Sequence, residues 1–281
     1  MTQAAPANLA SLINPAKFDF DQAIALHPLG HGRYTGSTHG AWANMVGPFG
    51  GITAAVVLQA VMLHPERLGI PVSFTVNFCS GVAEGGFEVT AKPARTNRST
   101  QHWTIEQSQA GVVVITATAV TAVRRTTFSS NESPLPVVTP ADQLQRSEPP
   151  KLPWTHRYDM RALTGHLPTV WDGIEGDTLT QVWVRDVQQR HIDFASLTAL
   201  SDTFFPRVFL RRRTFVPIGT VSMTVYFHAD APELSALGNG FILGQAKAQC
   251  FFNGFFDQTA QLWSDQGLLL ATTHQVVYFK E

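Results

Sequence analysis

The sequence predicts an α+β chain made of two fused copies of one unit, each an antiparallel sheet wrapped round a long central helix. Three observations lead there. The order strand, helix, four strands occurs twice. It repeats at residue level, since SFTVNF (73–78) lies over SMTVYF (222–227), and QAGVVVITATAVTAV (109–123) over DQGLLLATTHQVVYF (265–279). The period is about 150 residues, too long for a solenoid and right for two tandem domains.

Taken in order, the first copy begins after an N-terminal stretch without clear pattern. Residues 31–45, with several glycines and Trp42, read as a strand and turn region. Gly47, Pro48, Gly50 and Gly51 then break the chain, and from Ile52 small and apolar residues continue long enough for a helix of about three turns, stopping near Pro65. PVSFTVNF alternates, with Val72, Phe74, Val76 and Phe78 expected on one face. FEVTAKPARTNRS, TQHWTIEQSQ, a turn at Ala110-Gly111 and VVVITATAVTAV complete the first copy. Residues 129–153 hold six prolines and read as an extended linker. The expected division is therefore 1–128, linker 129–153, and 154–281.

In the second copy, 155–163 and 180–187 are strand-like. Residues 194–209 (FASLTALSDTFFPRVF) form an apolar helical run, with Leu197, Leu200, Phe204 and Val208 on one stripe. It is expected to break at Pro206 or at Arg211, Arg212 and Arg213. Four strands follow, with a turn at Gly267. One acid, Asp202, stands on the shoulder of the helical stripe. An ionised carboxylate there is costly unless water or a partner meets it.

Composition narrows the function. Only 15% of residues are charged and the net charge is −1, so no electrostatic footprint for nucleic acid is present. The hydrophobic fraction is 44%, with 19 Phe, ample for a large core. No apolar run reaches the roughly 18 residues of a membrane span. The opening residues lack the basic start and apolar block of a secretory signal. Cys79 and Cys250 lie far apart, as free thiols of a reducing compartment, and a cytoplasmic location is expected.

The FGG that opens the first helix, VSFTVNF, LSDTFFP, GTVSMTVYFH and GLLLATTHQ together resemble the double-hotdog acyl-CoA thioesterases of the bacterial type II kind. The resemblance covers nearly the whole chain and implies two tandem hotdog domains. It implies hydrolysis of acyl-CoA to free CoA and a carboxylic acid, coenzyme A being part of the substrate and no separate cofactor or metal being needed. It also implies a homo-oligomer. An Asp, a Thr and a Gln of the second hotdog cooperate on a water in that family, and they fall on Asp202, Thr220 and Gln275. A backbone amide near Gly51, or one near the start of the second helix, is the expected oxyanion donor, because helix starts expose N–H groups and glycine admits close approach.

The repeat bears on this separately. Gln275 superposes on Ala119 and Thr220 on Pro71, so one copy is polar where the other is blank, as one site per pair of copies would give. Each residue also has a plainer reading. Ser-Asp-Thr is capping chemistry for a short turn through 203–205. Thr220 is an ordinary strand residue, Gln275 an ordinary polar residue on a wetter face, and Gly50-Gly51 a simple helix-start turn. Arg207, Arg211, Arg212 and Arg213 offer cations for CoA phosphates, or merely complement a helix end and face water. His27 and His31 have a metal pair's spacing but flank Pro28 and Gly30, which exclude a helix. GNGFILG lacks dinucleotide spacing, and no GxSxG is present. A hotdog hydratase pairs its Asp with a His five residues on, where Arg207 stands here. A non-catalytic acyl or CoA binder is the remaining alternative.

Overall fold

The computed structural model describes residues 18–281. The first half comprises α1 (Asp19–Ala23), β1 (His27–Gly30), β2 (Arg33–Ser37), α2 (Gly50–Met62), β3 (Ile70–Phe78), β4 (Gly86–Thr96), β5 (Thr100–Gln109) and β6 (Val112–Ala122). The second begins with β7 (Tyr158–Thr164), β8 (Thr180–Asp186), α3 (Phe194–Leu200) and α4 (Arg207–Arg212). It continues through β9 (Ile218–Phe227), α5 (Ala231–Leu237), β10 (Ile242–Lys247), β11 (Phe251–Phe252), β12 (Phe255–Ser264) and β13 (Leu269–Phe279). All but β11 lie in one antiparallel path, β1-β2-β4-β5-β6-β3-β9-β13-β12-β10-β8-β7. That order is a palindrome with β3 matching β9, so two hotdog units share one sheet around a pair of central helices.

The sequence repeat carries the symmetry to single residues. Thr75 and Thr224, equivalent in the SFTVNF/SMTVYF match, pair directly across β3 and β9, and their hydroxyls are 3.0 Å apart. The pseudo-two-fold passes between them. The other pairings follow suit: Phe74 opposes Ala119 on β6 as Met223 opposes Gln275 on β13.

Simple alternation fails at matching places in the two copies. In β3 the register slips between Pro71 and Ser73, and in β9 it slips between Thr220 and Ser222 where Val277 follows Val276. Val72 and Val221 are the extra residues. A bulge reverses the in/out parity beyond it. Val72 therefore leaves the inner face expected for it, and Pro71 takes its place among the buried residues. In β9 the same device turns Thr220 inward, opposite buried Val277.

Helix α2 runs unbroken for 13 residues and is buried almost throughout, as its all-round apolar composition requires. The second central helix does not match its expected length. It stops at Leu200 after 7 residues and resumes as α4. The break thus falls before Pro206, and Asp202 lies in the turn. Three local bonds close it: the Asp202 N–H to the Ala199 carbonyl (3.1 Å), the Thr203 N–H to the Leu200 carbonyl (3.3 Å), and the Thr203 hydroxyl to that same carbonyl (2.8 Å). Such i→i+3 bonds tighten a last turn and end it. Pro206 additionally biases Phe205 away from helical backbone.

The proline-rich segment is extended, but it is strapped to the outer face of the second half. Trp183 and Trp263 donate their indole N–H to the carbonyls of Thr139 (2.9 Å) and Ser133 (2.7 Å). Leu135, Val138 and Leu144 pack over these tryptophans. Helix α5 is one the sequence reading left out. Its signal was present, since Asp230 and Glu233 form a reciprocal capping box with Pro232 in the first turn. Among the described residues no helix is long and apolar enough to cross a membrane.

The helix pair meets through Gly51. A Cβ added there would lie 2.5 Å from the Ala199 carbonyl oxygen of α3. Gly51→Ala forces the helices apart, and its denaturation midpoint should fall by the equivalent of about 1–3 kcal/mol in a urea titration. A midpoint equal to that of the native chain would mean that the contact is not tight.

Candidate active site

The FGG signal assigns its two glycines different tasks, and both concern the other half of the chain. Gly51 admits α3. Gly50 admits the Asp202 carboxylate, since a Cβ there would stand 2.7 Å from Asp202 Oδ2. The N-cap of α2, Phe49, has no side-chain cap of its own. The Asp202 carboxyl of the second half lies against this helix start, near enough to the Gly51 N–H for its charged form to be favoured. A carboxylate at a helix start meets unpaired N–H groups and the positive end of the macrodipole. Gly51, near which the oxyanion donor was expected, has its N–H beside this carboxylate.

Gln275 stands on β13 beside Met223, with 3% of its surface exposed. Its Nε2 donates to Asp202 Oδ1 at 2.9 Å, and also lies 3.4 Å from the Ser201 carbonyl and from Met223 Sδ. Thr220, turned inward by the bulge, borders the same two cavities as Asp202. One is an aromatic chamber of about 400 Å³, walled by Phe49, Trp154, Phe204, Phe205, Phe209 and Trp171. Its rings are packed on one another: Phe49 stacks on Trp154 at 4.2 Å, and Trp171 meets Phe209 edge-on at 5.4 Å. The other is a more polar cleft of about 470 Å³ reaching Gly50, Thr53, Ser80 and Gly81. Asp202 and Thr220 sit where the two meet.

Protein surrounds Asp202 apart from these openings, and the electrostatics follow from that. Burial pushes its carboxyl up from 3.8 to about 7, held back by the Gln275 and Gly51 N–H bonds, which favour the ionised form. A carboxyl poised near neutrality beside a cavity suits a general base. Asp202 is not the N-cap of a 203–205 turn, since no helix starts there and α4 follows Pro206.

Two family models divide the chain between them. One described as the acyl-CoA thioesterase C-terminal domain matches residues 133–279, and one described as the acyl-CoA thioesterase N-terminal domain matches residues 38–122. The chain belongs to the acyl-CoA thioesterase family. A conserved protein of unknown function with a hot dog fold from Alicyclobacillus acidocaldarius is 46% identical, with a TM-score of 0.88 over 93% of this chain and 98% of that one. An acyl-CoA thioesterase II, TesB2, from Mycobacterium marinum is 17% identical at a TM-score of 0.73, covering 93% of this chain and 98% of its own. The tesB protein of Mycobacterium avium subs paratuberculosis is 16% identical at 0.76, covering 94% and 98%. The last two likenesses are of fold. No curated protein matches the chain.

In this acyl-CoA thioesterase family member the arginines after Asp202 part company. Arg211, Arg212 and Arg213 pair at the surface with Glu175, Glu281 and Asp172. Arg207 neither faces water nor awaits a phosphate, because it is fully buried. Its guanidinium donates to the Phe205 carbonyl through Nε (3.0 Å) and Nη2, and through Nη1 to the Thr178 carbonyl (2.8 Å) and the Thr180 hydroxyl (2.7 Å). Burial draws its pKa down to about 9. It thereby ties the turn carrying Asp202 to the entry of β8. Helical periodicity gives no sign of this role, because the residue caps carbonyls that exist only once the helix has broken.

The raised pKa of Asp202 has a stability consequence. Its folded value lies above its unfolded one, so the contribution is fully present below pH 3.8 and is lost as pH rises through about 7. Asp202→Asn removes that loss. The variant should therefore exceed the native chain in stability at pH 8 by roughly 2–4 kcal/mol, with the gap closing near pH 4. Chemical denaturation at the two pH values checks it, and equal stability at pH 8 would contradict a buried charge.

Proposed function

We propose that the chain hydrolyses acyl-CoA thioesters, with Asp202 as general base and Thr220 and Gln275 holding the water. The observation that carries this reading is Asp202 itself, bonded by Gln275 and a helix-start amide and opening on two cavities that Thr220 also borders. Membership of the acyl-CoA thioesterase family supplies the substrate class.

In the proposed reaction the thioester carbonyl lies at the junction of the cavities. Ionised Asp202 takes a proton from water as its oxygen bonds to the carbonyl carbon. The tetrahedral oxyanion then collapses, the C–S bond breaks, and the Asp202 proton passes to the departing sulfur. The products are a carboxylic acid and free CoA. Thr220 and Gln275 contribute by orientation, which removes the entropy of finding the attack geometry. The first-turn amides of α2 at Gly51 and Gly50, of which Gly50 lines the polar cleft, are the candidate donors to the oxyanion.

Release of free thiol from acyl-CoAs tests the reading. The native chain should turn over, and Asp202→Asn should lose at least about a thousandfold in kcat. Saturable binding without thiol release would instead make this a non-catalytic acyl binder. The rate should climb about tenfold per pH unit below 7 and level off above it, since only the ionised base acts. Gln275→Ala should move that midpoint upward, because it removes a bond favouring the charge.

Gly50→Ala gives a geometric check. The added Cβ must push the Asp202 carboxylate away. A fall in kcat of at least about tenfold is expected, with the fold retained on circular dichroism. An unchanged kcat would remove the carboxylate from the reaction.

A further inference from the structure

Two largely apolar cavities lie back to back, one of them walled in part by Asn44, Met45 and Phe49 of the first half. The aromatic chamber contains Asp202. Behind it is a side chamber of about 430 Å³ that does not reach Asp202; it is largely apolar, lined by Met160, Ala162 and Val182 together with Glu148, Thr155 and His166. The space follows from the early stop of α3. Past Leu200 no helix covers the inner face of β7 and β8, and that face carries Met160, Ala162 and Val182.

The chambers share four lining residues: Pro150, Leu167, Phe204 and Phe205. The two rings are held very differently. Phe204 is buried among Val182, Ala246 and Ala260, with its ring 2.7 Å from where a Cβ on Gly244 would stand. It is locked into the sheet. Phe205 is only half-buried, and its ring neighbour is Trp154 at 6.2 Å in a tilted arrangement. The removable part of the wall is the ring of Phe205.

We infer that Phe205 sets the upper limit of acyl chain length, by closing the aromatic chamber against the side chamber. This rests on the hydrolase reading above. The acyl chain enters the aromatic chamber from Asp202 and ends at the Phe205 ring. Shortening that residue joins the two spaces into one apolar tunnel of about twice the volume. Each further methylene taken from water into such a tunnel multiplies the specificity constant by roughly four.

The test compares kcat/KM for butanoyl-, octanoyl-, dodecanoyl- and hexadecanoyl-CoA. The proteins are the native chain, Phe205→Ala, Phe205→Leu, Ala162→Trp and the double variant Phe205→Ala/Ala162→Trp. The dodecanoyl-to-butanoyl ratio should rise at least about tenfold in Phe205→Ala and by less in Phe205→Leu. The leucine variant keeps an apolar contact on Trp154, so the outcome does not hang on the alanine variant's stability. Ala162→Trp fills the side chamber. Alone it leaves the native profile unchanged, and in the double variant it returns the ratio to the native value. An unchanged ratio in both folded Phe205 variants, or a double variant that keeps the long-chain gain, overturns the inference. Thiol release from butanoyl-CoA by the native chain tests the hydrolase reading alone. Were none seen, the same series read as binding affinity would still decide the role of Phe205.

Discussion

A carboxylate from one half of the chain, turned inward onto the first turn of a helix from the other, is the contact around which this molecule is arranged. Burying that charge is expensive, and each nearby feature lowers or tolerates the cost. The uncapped start of α2 offers an N–H and a favourable dipole. Gln275 offers a second N–H, Gly50 makes room for the oxygen, and Gly51 lets the helices close enough for the contact to exist. Arg207 fixes the turn from behind without standing in as counter-charge, since its partners are two carbonyls and a hydroxyl. The carboxyl is thus left near neutrality instead of being fully stabilised as an anion. A salt bridge in its place would have held it ionised and weakened it as a base.

The duplication explains why one such site exists and not two. At the start of α3, the pseudo-symmetric counterpart of the start of α2, the helix is capped by its own Asp193 in a box with Ser196, and Arg190 pairs with that Asp at 2.6 Å. The other half reaches this end through that arginine, whose Nε pairs with Asp21 at 2.7 Å. The strand positions agree. Ala119 and Pro71 stand where Gln275 and Thr220 stand in the second copy, in matching registers across the sheet. The first half contributes a helix end and close-packing glycines, and the second contributes Asp202, Thr220 and Gln275.

How much of this was legible in the sequence divides along physical lines. The duplicated architecture was legible, because SFTVNF lies over SMTVYF and the C-terminal segments match, whereas the strand order and the pairing of Thr75 with Thr224 came only from the structure. Asp202 was legible as an anomaly, a lone acid in an apolar run. Its true setting was not, because a 3.6-residue stripe continues through 194–209 while the backbone stops at Leu200. Thr220 was placed by resemblance alone. Alternation puts it on the face opposite Met223, and only the bulge at Val221 brings it inward. Gly50 and Arg207 escaped because their roles are contacts with distant segments, which no local pattern encodes.

The central claim is that Asp202 is a half-buried carboxyl, at the meeting of two cavities, that titrates near neutrality. The most direct measurement is infrared difference spectroscopy of the protonated carboxyl stretch across pH 4 to 9, on the native chain and on Asp202→Asn. One carboxyl band that disappears with a midpoint near pH 7 in the native chain, and is missing from the variant, is the predicted result. If every carboxyl of the native chain has ionised by pH 5.5, or if the band survives in Asp202→Asn, the account is contradicted.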